Sequence, residues 1–135
     1  MEDNLKISDN LKINIEFKTN IIITKDDIDD IMSTALEGGI TYWCDRCSVV
    51  GKYLGEYASE QIARGGTLRL RDCETGELFF LSLTKFVKGL KMFLEDNVYR
   101  LPLVKEYDGL HLDCLDADDA DQIIQYALFD EIVFG

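Results

Sequence analysis

Basic side chains disappear from this sequence after Lys105: Glu106 to Gly135 holds no Lys and no Arg, yet carries nine of the chain's 26 acidic residues. The preceding 105 residues hold 17 acids against 14 bases, a balance of −3, so the last thirty supply −9 of the total −12. That absence argues against direct binding to nucleic acid or to an anionic membrane surface, since both repel a chain of pI near 4.4. Other absences narrow the field further. There is one proline, Pro102, and no Ser- or Gly-rich stretch, so the sequence predicts a single domain over residues 1–135. No apolar run approaches the ~18 residues that span a bilayer. The opening Met1-Glu-Asp-Asn-Leu-Lys is polar and acidic, unlike a secretory signal, which predicts a cytoplasmic protein. Four cysteines in that compartment are expected to be reduced thiols.

What is present is an apolar pattern sufficient for one core. Hydrophobic residues make up 47% of the chain, and the acidic tail shares in them through Leu110, Leu112, Leu115, Ile123, Ile124, Leu128, Phe129, Ile132, Val133 and Phe134. Residues 11–17 alternate apolar and polar side chains like a half-buried strand, and Ile21-Ile-Ile extends or pairs with it. Thr24 and Asp27 fit a capping box, followed by Ile28, Ile31, Met32, Ala35 and Leu36 at helical spacing and a stop at Gly38-Gly39. The stretch Ile40 to Cys47 favours extended structure.

A second helix is expected over residues 52–64, burying Leu54, Tyr57, Ala58 and Ile62. A hairpin follows, with Thr67 to Arg71 and Glu77 to Ser82 joined by a turn at Asp72–Gly76. Leu83, Phe86, Val87, Leu90 and Leu94 then mark a third helix, whose opposite side carries a ridge of Lys85, Lys88 and Lys91. Asp116 and Asp119 form another cap pair, opening a last helix that buries Ala120, Ile123, Ile124, Ala127 and Leu128. A closing strand, Glu131 to Phe134, is expected to pair into the sheet. The fold class is α+β, a small mainly antiparallel sheet with three to four helices packed on it in a single compact domain.

Three kinds of chemistry are written into side-chain spacing. Trp43-Cys44-Asp45-Arg46-Cys47 has the Cys-x-x-Cys of a thiol–disulfide oxidoreductase, which requires a helix N-terminus to lower a thiol pKa. The hairpin lacks the preceding proline that thioredoxin-like proteins place beside their dithiol. Cys44 and Cys47 could alternatively join His111 and Cys114 as a Cys₃His zinc site in a metal-stabilised adaptor. The aspartates Asp113, Asp116, Asp118, Asp119 and Asp121 lack the central Gly and terminal Glu of an EF-hand loop. No cofactor is expected, and apart from the Cys44/Cys47 dithiol no set of residues points to catalysis.

The third chemistry is recognition. Asp26, Asp29 and Asp30 on the first helix and Asp113, Asp116, Asp118, Asp119 and Asp121 around the last are candidate partner-binding residues. Carboxylates three or four apart on a helix lie ~5–6 Å from one another. Such a row imitates backbone phosphates and occupies the Lys and Arg of a nucleic-acid channel, as a DNA mimic does. The lysine ridge offers a second use for this charge, salt-sensitive homodimerisation through the acidic face.

Two stretches carry a resemblance: Ala35-Leu-Glu-Gly-Gly-Ile-Thr-Tyr-Trp-Cys with Gly55-Glu-Tyr-Ala-Ser-Glu-Gln-Ile-Ala-Arg-Gly-Gly-Thr-Leu, and Ile123-Ile-Gln-Tyr-Ala-Leu-Phe with Val133-Phe-Gly. Over most of residues 20–135 the chain resembles small acidic proteins carried by phages and mobile elements of Clostridia-like bacteria. The resemblance assigns no role to individual residues. It implies an anti-defence context, in which such proteins inhibit restriction systems or CRISPR effector nucleases.

Overall fold

A computed structural model describes residues 9–16, 20–97 and 115–135. Residues Lys12–Glu16 (β1) and Asn20–Thr24 (β2) form an antiparallel pair, with Ile13 opposite Ile23 and Ile15 opposite Ile21. Period-2 alternation turns Ile15, Ile21 and Ile23 into the core. Thr24 then caps α1 (Lys25–Thr34): its hydroxyl accepts from Asp27 N at 3.2 Å, and Asp27 Oδ2 accepts from Thr24 N at 3.0 Å. Both halves of the expected capping box are therefore present.

α1 runs into one π-helical turn, Ala35–Gly39. Its last glycine is fixed by packing, because a Cβ there would stand 2.7 Å from the backbone oxygen of Ala117. Ala117 begins α3 (Ala117–Phe129), so this close approach seats the end of α1 against the first turn of α3.

The second sheet is built from Cys44–Val50 (β3), Thr67–Asp72 (β4) and Leu78–Leu81 (β5), antiparallel in the order β3-β4-β5. The β4–β5 hairpin matches the expectation, and Asp72 Oδ1 holds its turn by accepting from Glu74 N at 2.8 Å. α2 (Leu83–Asn97) starts where Ser82 Oγ accepts from Lys85 N, and packs its Phe86, Leu90, Phe93 and Leu94 face into the core. Each such side chain contributes about 1.5–3 kcal/mol on full burial. The strands thus divide into two antiparallel sheets, with three α-helices against them. No helix among the described residues is long and apolar enough to cross a membrane.

Two expected elements are absent. Residues 52–64 hold a single 3₁₀ turn, Ala58–Glu60, and Leu54 and Tyr57 are exposed rather than buried, although Ile62 is in the core. Side chains capture the backbone groups that a helix would need. Glu60 Oε1 accepts from Glu56 N at 2.7 Å, Gln61 Oε1 accepts from Leu54 N, and Gln61 Nε2 donates to Lys52 O. The closing strand is also missing: residues 131–135 join no ladder. Their backbone is held by one side chain, since Gln125 Oε1 accepts from Val133 N at 2.7 Å and Phe134 N at 2.8 Å. Gln125 is fully buried in α3 and imitates the edge of a strand.

Candidate protein-binding surface

The acidic residues singled out by spacing divide into exposed carboxylates and structural ones. On α1, Asp26 is almost fully exposed and Asp30 lies one turn further along, also exposed. Asp29 between them is turned aside into an ion pair, 3.1 Å from Arg64 Nη1. Burial pushes its carboxyl above the usual range while Arg64 pulls the other way. Asp116 is the N-cap of α3 and Asp119 is its N3 partner: Asp116 Oδ1 accepts from Asp119 N at 2.9 Å and Asp119 Oδ2 accepts from Asp116 N at 3.1 Å. Asp119 is consequently buried, whereas Asp116 and Asp118 face outward.

Asp121 is buried too. Its carboxylate accepts from Tyr42 OH at 2.6 Å, Trp43 Nε1 at 2.8 Å and Gln125 Nε2 at 2.9 Å. Asp29, Asp119 and Asp121 thus hold the fold together instead of forming a free anionic row. Asp113, like His111 and Cys114, lies outside the described residues.

The exposed members come from two helices to one place. Asp30 and Asp116 line a narrow cleft with Ile31, Thr34, Leu115 and Ala120. Its volume is about 30 Å³, room for a few waters. Across the first turn of α3, Asp118 borders an open depression of about 390 Å³ with Tyr42, Gln122, Ile132 and Phe134. Tyr42 and Ile132 keep 52% and 43% of their surface exposed, giving the acidic corner apolar anchors of the kind that dominate interfaces. The N-terminus of α3 opposes this charge with about half a positive unit. Four exposed carboxylates, Asp26, Asp30, Asp116 and Asp118, outweigh it.

Tyr42 and Gln125 were not legible as site residues, but one signal was available. Gln125 interrupts the apolar face Ile123, Ile124, Ala127, and a polar residue at a core position demands partners.

The dithiol has a different setting from the one its spacing suggested. Cys44 and Cys47 both lie on β3, not at a helix start. Register shifts between Cys44, opposite Asp72, and Arg46, opposite Arg71, so Asp45 is the extra residue of a β-bulge. The bulge breaks the alternation and turns both thiols inward. Burial raises the Cys44 thiol, and raises Cys47 to about 12, with Cys44 beside it adding to the effect. These are protonated thiols, the opposite of an activated nucleophile. Alkylation of Cys47 at pH 8 is expected to run on the order of a thousandfold slower than for an unperturbed thiol. Among the described cysteines, peptide mapping after brief iodoacetamide treatment should find label at exposed Cys73 before Cys44 and Cys47; equal labelling of Cys47 would contradict the burial argument.

No family model, curated protein or solved structure matches this chain. Function is therefore argued from its own residues. Among the described residues, no three His, Cys, Asp or Glu side chains are grouped to hold a metal ion.

Proposed function

We propose that the chain is a non-catalytic, acidic protein-binding inhibitor that sets its α1–α3 corner into the basic nucleic-acid channel of a larger enzyme. The observation that carries this reading is the meeting of Asp30 and Asp116 on one cleft, with exposed Asp26 one turn back on α1 and exposed Asp118 on the first turn of α3. Carboxylates on rigid, capped helices reach Lys and Arg side chains without first being ordered, which preserves affinity. Tyr42 and Ile132 add the desolvated contact that charge alone does not provide. The target we propose, a host defence nuclease such as a CRISPR effector met in the bacterial cytoplasm, is what the resemblance of the sequence to acidic phage and mobile-element proteins implies, and no matched relative stands behind it. The raised thiols of Cys44 and Cys47 speak against the oxidoreductase alternative.

The test is affinity capture from a Clostridia-like lysate on immobilised protein, eluted by salt, with an Asp26→Asn/Asp30→Asn/Asp118→Asn variant in parallel. All three positions are exposed, and none accepts a cap bond. A basic nucleic-acid enzyme is expected to be retained by the native chain and to elute as salt rises. Its affinity for the variant should be weaker on the order of tenfold or more. Identical retention on both columns would remove the carboxylates from the mechanism.

A further inference from the structure

The three-stranded sheet has an outer face unlike the rest of the molecule. Cross-strand register places Ser48, Arg69 and Phe80 in one row and Arg46, Arg71 and Leu78 in the next. Inward neighbours Cys47, Leu70 and Phe79 occupy the row between them on the other side. Three of the chain's five arginines therefore share one face of a protein with net charge −12. Phe80 and Leu78 are 44% and 47% exposed, and Val50 stands out on the same face at 41%. Apolar side chains surrounded by arginine are the composition of an interface core.

Internal pairing accounts for one of these arginines. The bulge residue Asp45 holds Arg71 at 2.6 Å, easing the repulsion between Arg71 and the Arg46 opposite it. No carboxylate pairs with Arg46 or Arg69 among the described residues. The lysines of α2, by contrast, are partly spent. Lys85 Nζ donates to Phe80 O at 2.8 Å, and Lys88 Nζ reaches Ala127 O at 3.0 Å and Asp130 at 2.6 Å. Any basic docking surface is thus the sheet face rather than the lysine ridge.

We propose that this arginine–aromatic face docks the acidic α1–α3 corner of a second copy of the chain, in a head-to-tail contact. Charge complementarity selects the occupant. Two sheet faces brought together would oppose arginine to arginine, and two acidic corners would oppose carboxylates, so the attractive pairing joins unlike surfaces. Net repulsion between two copies at −12 works against contact, but charges further apart than ~8 Å are screened at physiological salt while touching patches are not. A heterologous contact of this kind closes into a ring or extends as a chain. The acidic corner is shared with the inhibitor reading, so a target and a second copy compete for it, yet the assay below uses no target and stands or falls separately.

Sedimentation velocity of the purified full-length chain tests the proposal across a salt series. Association should be weak at low salt, strongest near about 0.1 M and lost at high salt, where the contacting patches are screened as well. An Arg46→Glu/Arg69→Glu variant and an Asp26→Lys/Asp30→Lys/Asp118→Lys variant should each sediment as monomers. Mixed together, they should form a 1:1 complex, because each retains the surface that the other lacks. Arg46→Gln/Arg69→Gln, a milder pair at exposed positions, should also be monomeric, and circular dichroism checks that every variant is folded. A native chain that stays monomeric at all salts overturns the proposal, as does association that survives both arginine variants.

Discussion

Replacing Gly89 by alanine is expected to destabilise the protein by about 2 kcal/mol or more, although Gly89 lies inside a helix where alanine is intrinsically favoured by about 1 kcal/mol. The reason is the crossing of α2 over α3. A Cβ at Gly89 would stand 2.5 Å from Ala127 N and 2.5 Å from Ile123 O. Both atoms are backbone, so no rotamer change relieves the clash and one helix must move bodily. Overpacking of cores typically costs 1–3 kcal/mol, and a clash with backbone belongs at or above the upper end. Helix propensity offsets part of that and does not reverse it. The clash presses on α3, which is capped by Asp116 and carries Asp118, Asp121 and Gln125, so binding should weaken together with stability. Gly38→Ala is the matched control, because a Cβ there meets no atom within 4 Å. Urea unfolding monitored by circular dichroism should show a lower midpoint for Gly89→Ala and an unchanged or higher one for Gly38→Ala. A native midpoint for Gly89→Ala would mean that the helices have room to separate.

Local signals carried much of the fold into the sequence. The capping boxes at Thr24–Asp27 and Asp116–Asp119, the apolar stripes of α1, α2 and α3 and the β4–β5 hairpin depend on residues within a few positions of one another. Such signals are readable because the interacting groups are neighbours in the chain. Where the reading failed, a distant or competing contact decided the structure. Residues 52–64 have an apolar period fit for a helix, but Glu60 and Gln61 take the backbone groups first. Residues 131–134 look like a strand, but their partner is the side chain of Gln125, six or more positions upstream in a helix. The bulge at Asp45 is similarly hidden in sequence, and it alone decides that Cys44 and Cys47 point the same way.

The acidic surface was half legible for the same reason. Counting charge locates it near α1 and the start of α3, and Asp26, Asp30, Asp116 and Asp118 are exposed there. Charge counting does not distinguish a carboxylate in water from one enclosed by donors. Asp29 needs Arg64, 35 residues away, and Asp121 needs Tyr42 and Trp43, nearly 80 residues away. Of the candidates among the described residues, Asp29, Asp119 and Asp121 are spent inside the fold, which leaves Asp26, Asp30, Asp116 and Asp118 as exposed carboxylates near apolar side chains.

Asp121→Ala is expected to be the most damaging of the aspartate substitutions, at about 3–5 kcal/mol, a size typical of breaking a buried charged network by removing one partner. Its carboxylate accepts from three donors, and one of them, Trp43 Nε1, belongs to a side chain only 2% exposed. The same carboxylate positions Gln125 Nε2, whose amide oxygen holds Val133 and Phe134. Phe134 in turn stacks on Trp43 at 4.7 Å and 6°. Losing Asp121 therefore loosens residues 131–135 and exposes the indole, which Trp43 fluorescence reports as a red shift. Asp121→Asn keeps the shape and one acceptor oxygen, so its cost should be smaller. Alkaline pH probes the network from the other side. Burial, reinforced by the hydrogen bond to Asp121, raises Tyr42 to about 12 from an ordinary value of 10.0. The folded state thus favours the neutral phenol, and the stability it contributes is present below pH 10 and lost as pH rises to 12. Tyr126, raised to about 12 first by its bond to Asp96 and then by burial, adds to the same window. Urea midpoints measured from pH 9 to 12 should fall more steeply for the native chain than for Tyr42→Phe. Parallel profiles, or an Asp121→Ala protein as stable as an Asp26→Ala one, would show that the Tyr42–Asp121–Gln125 network does not hold the closing segment in place.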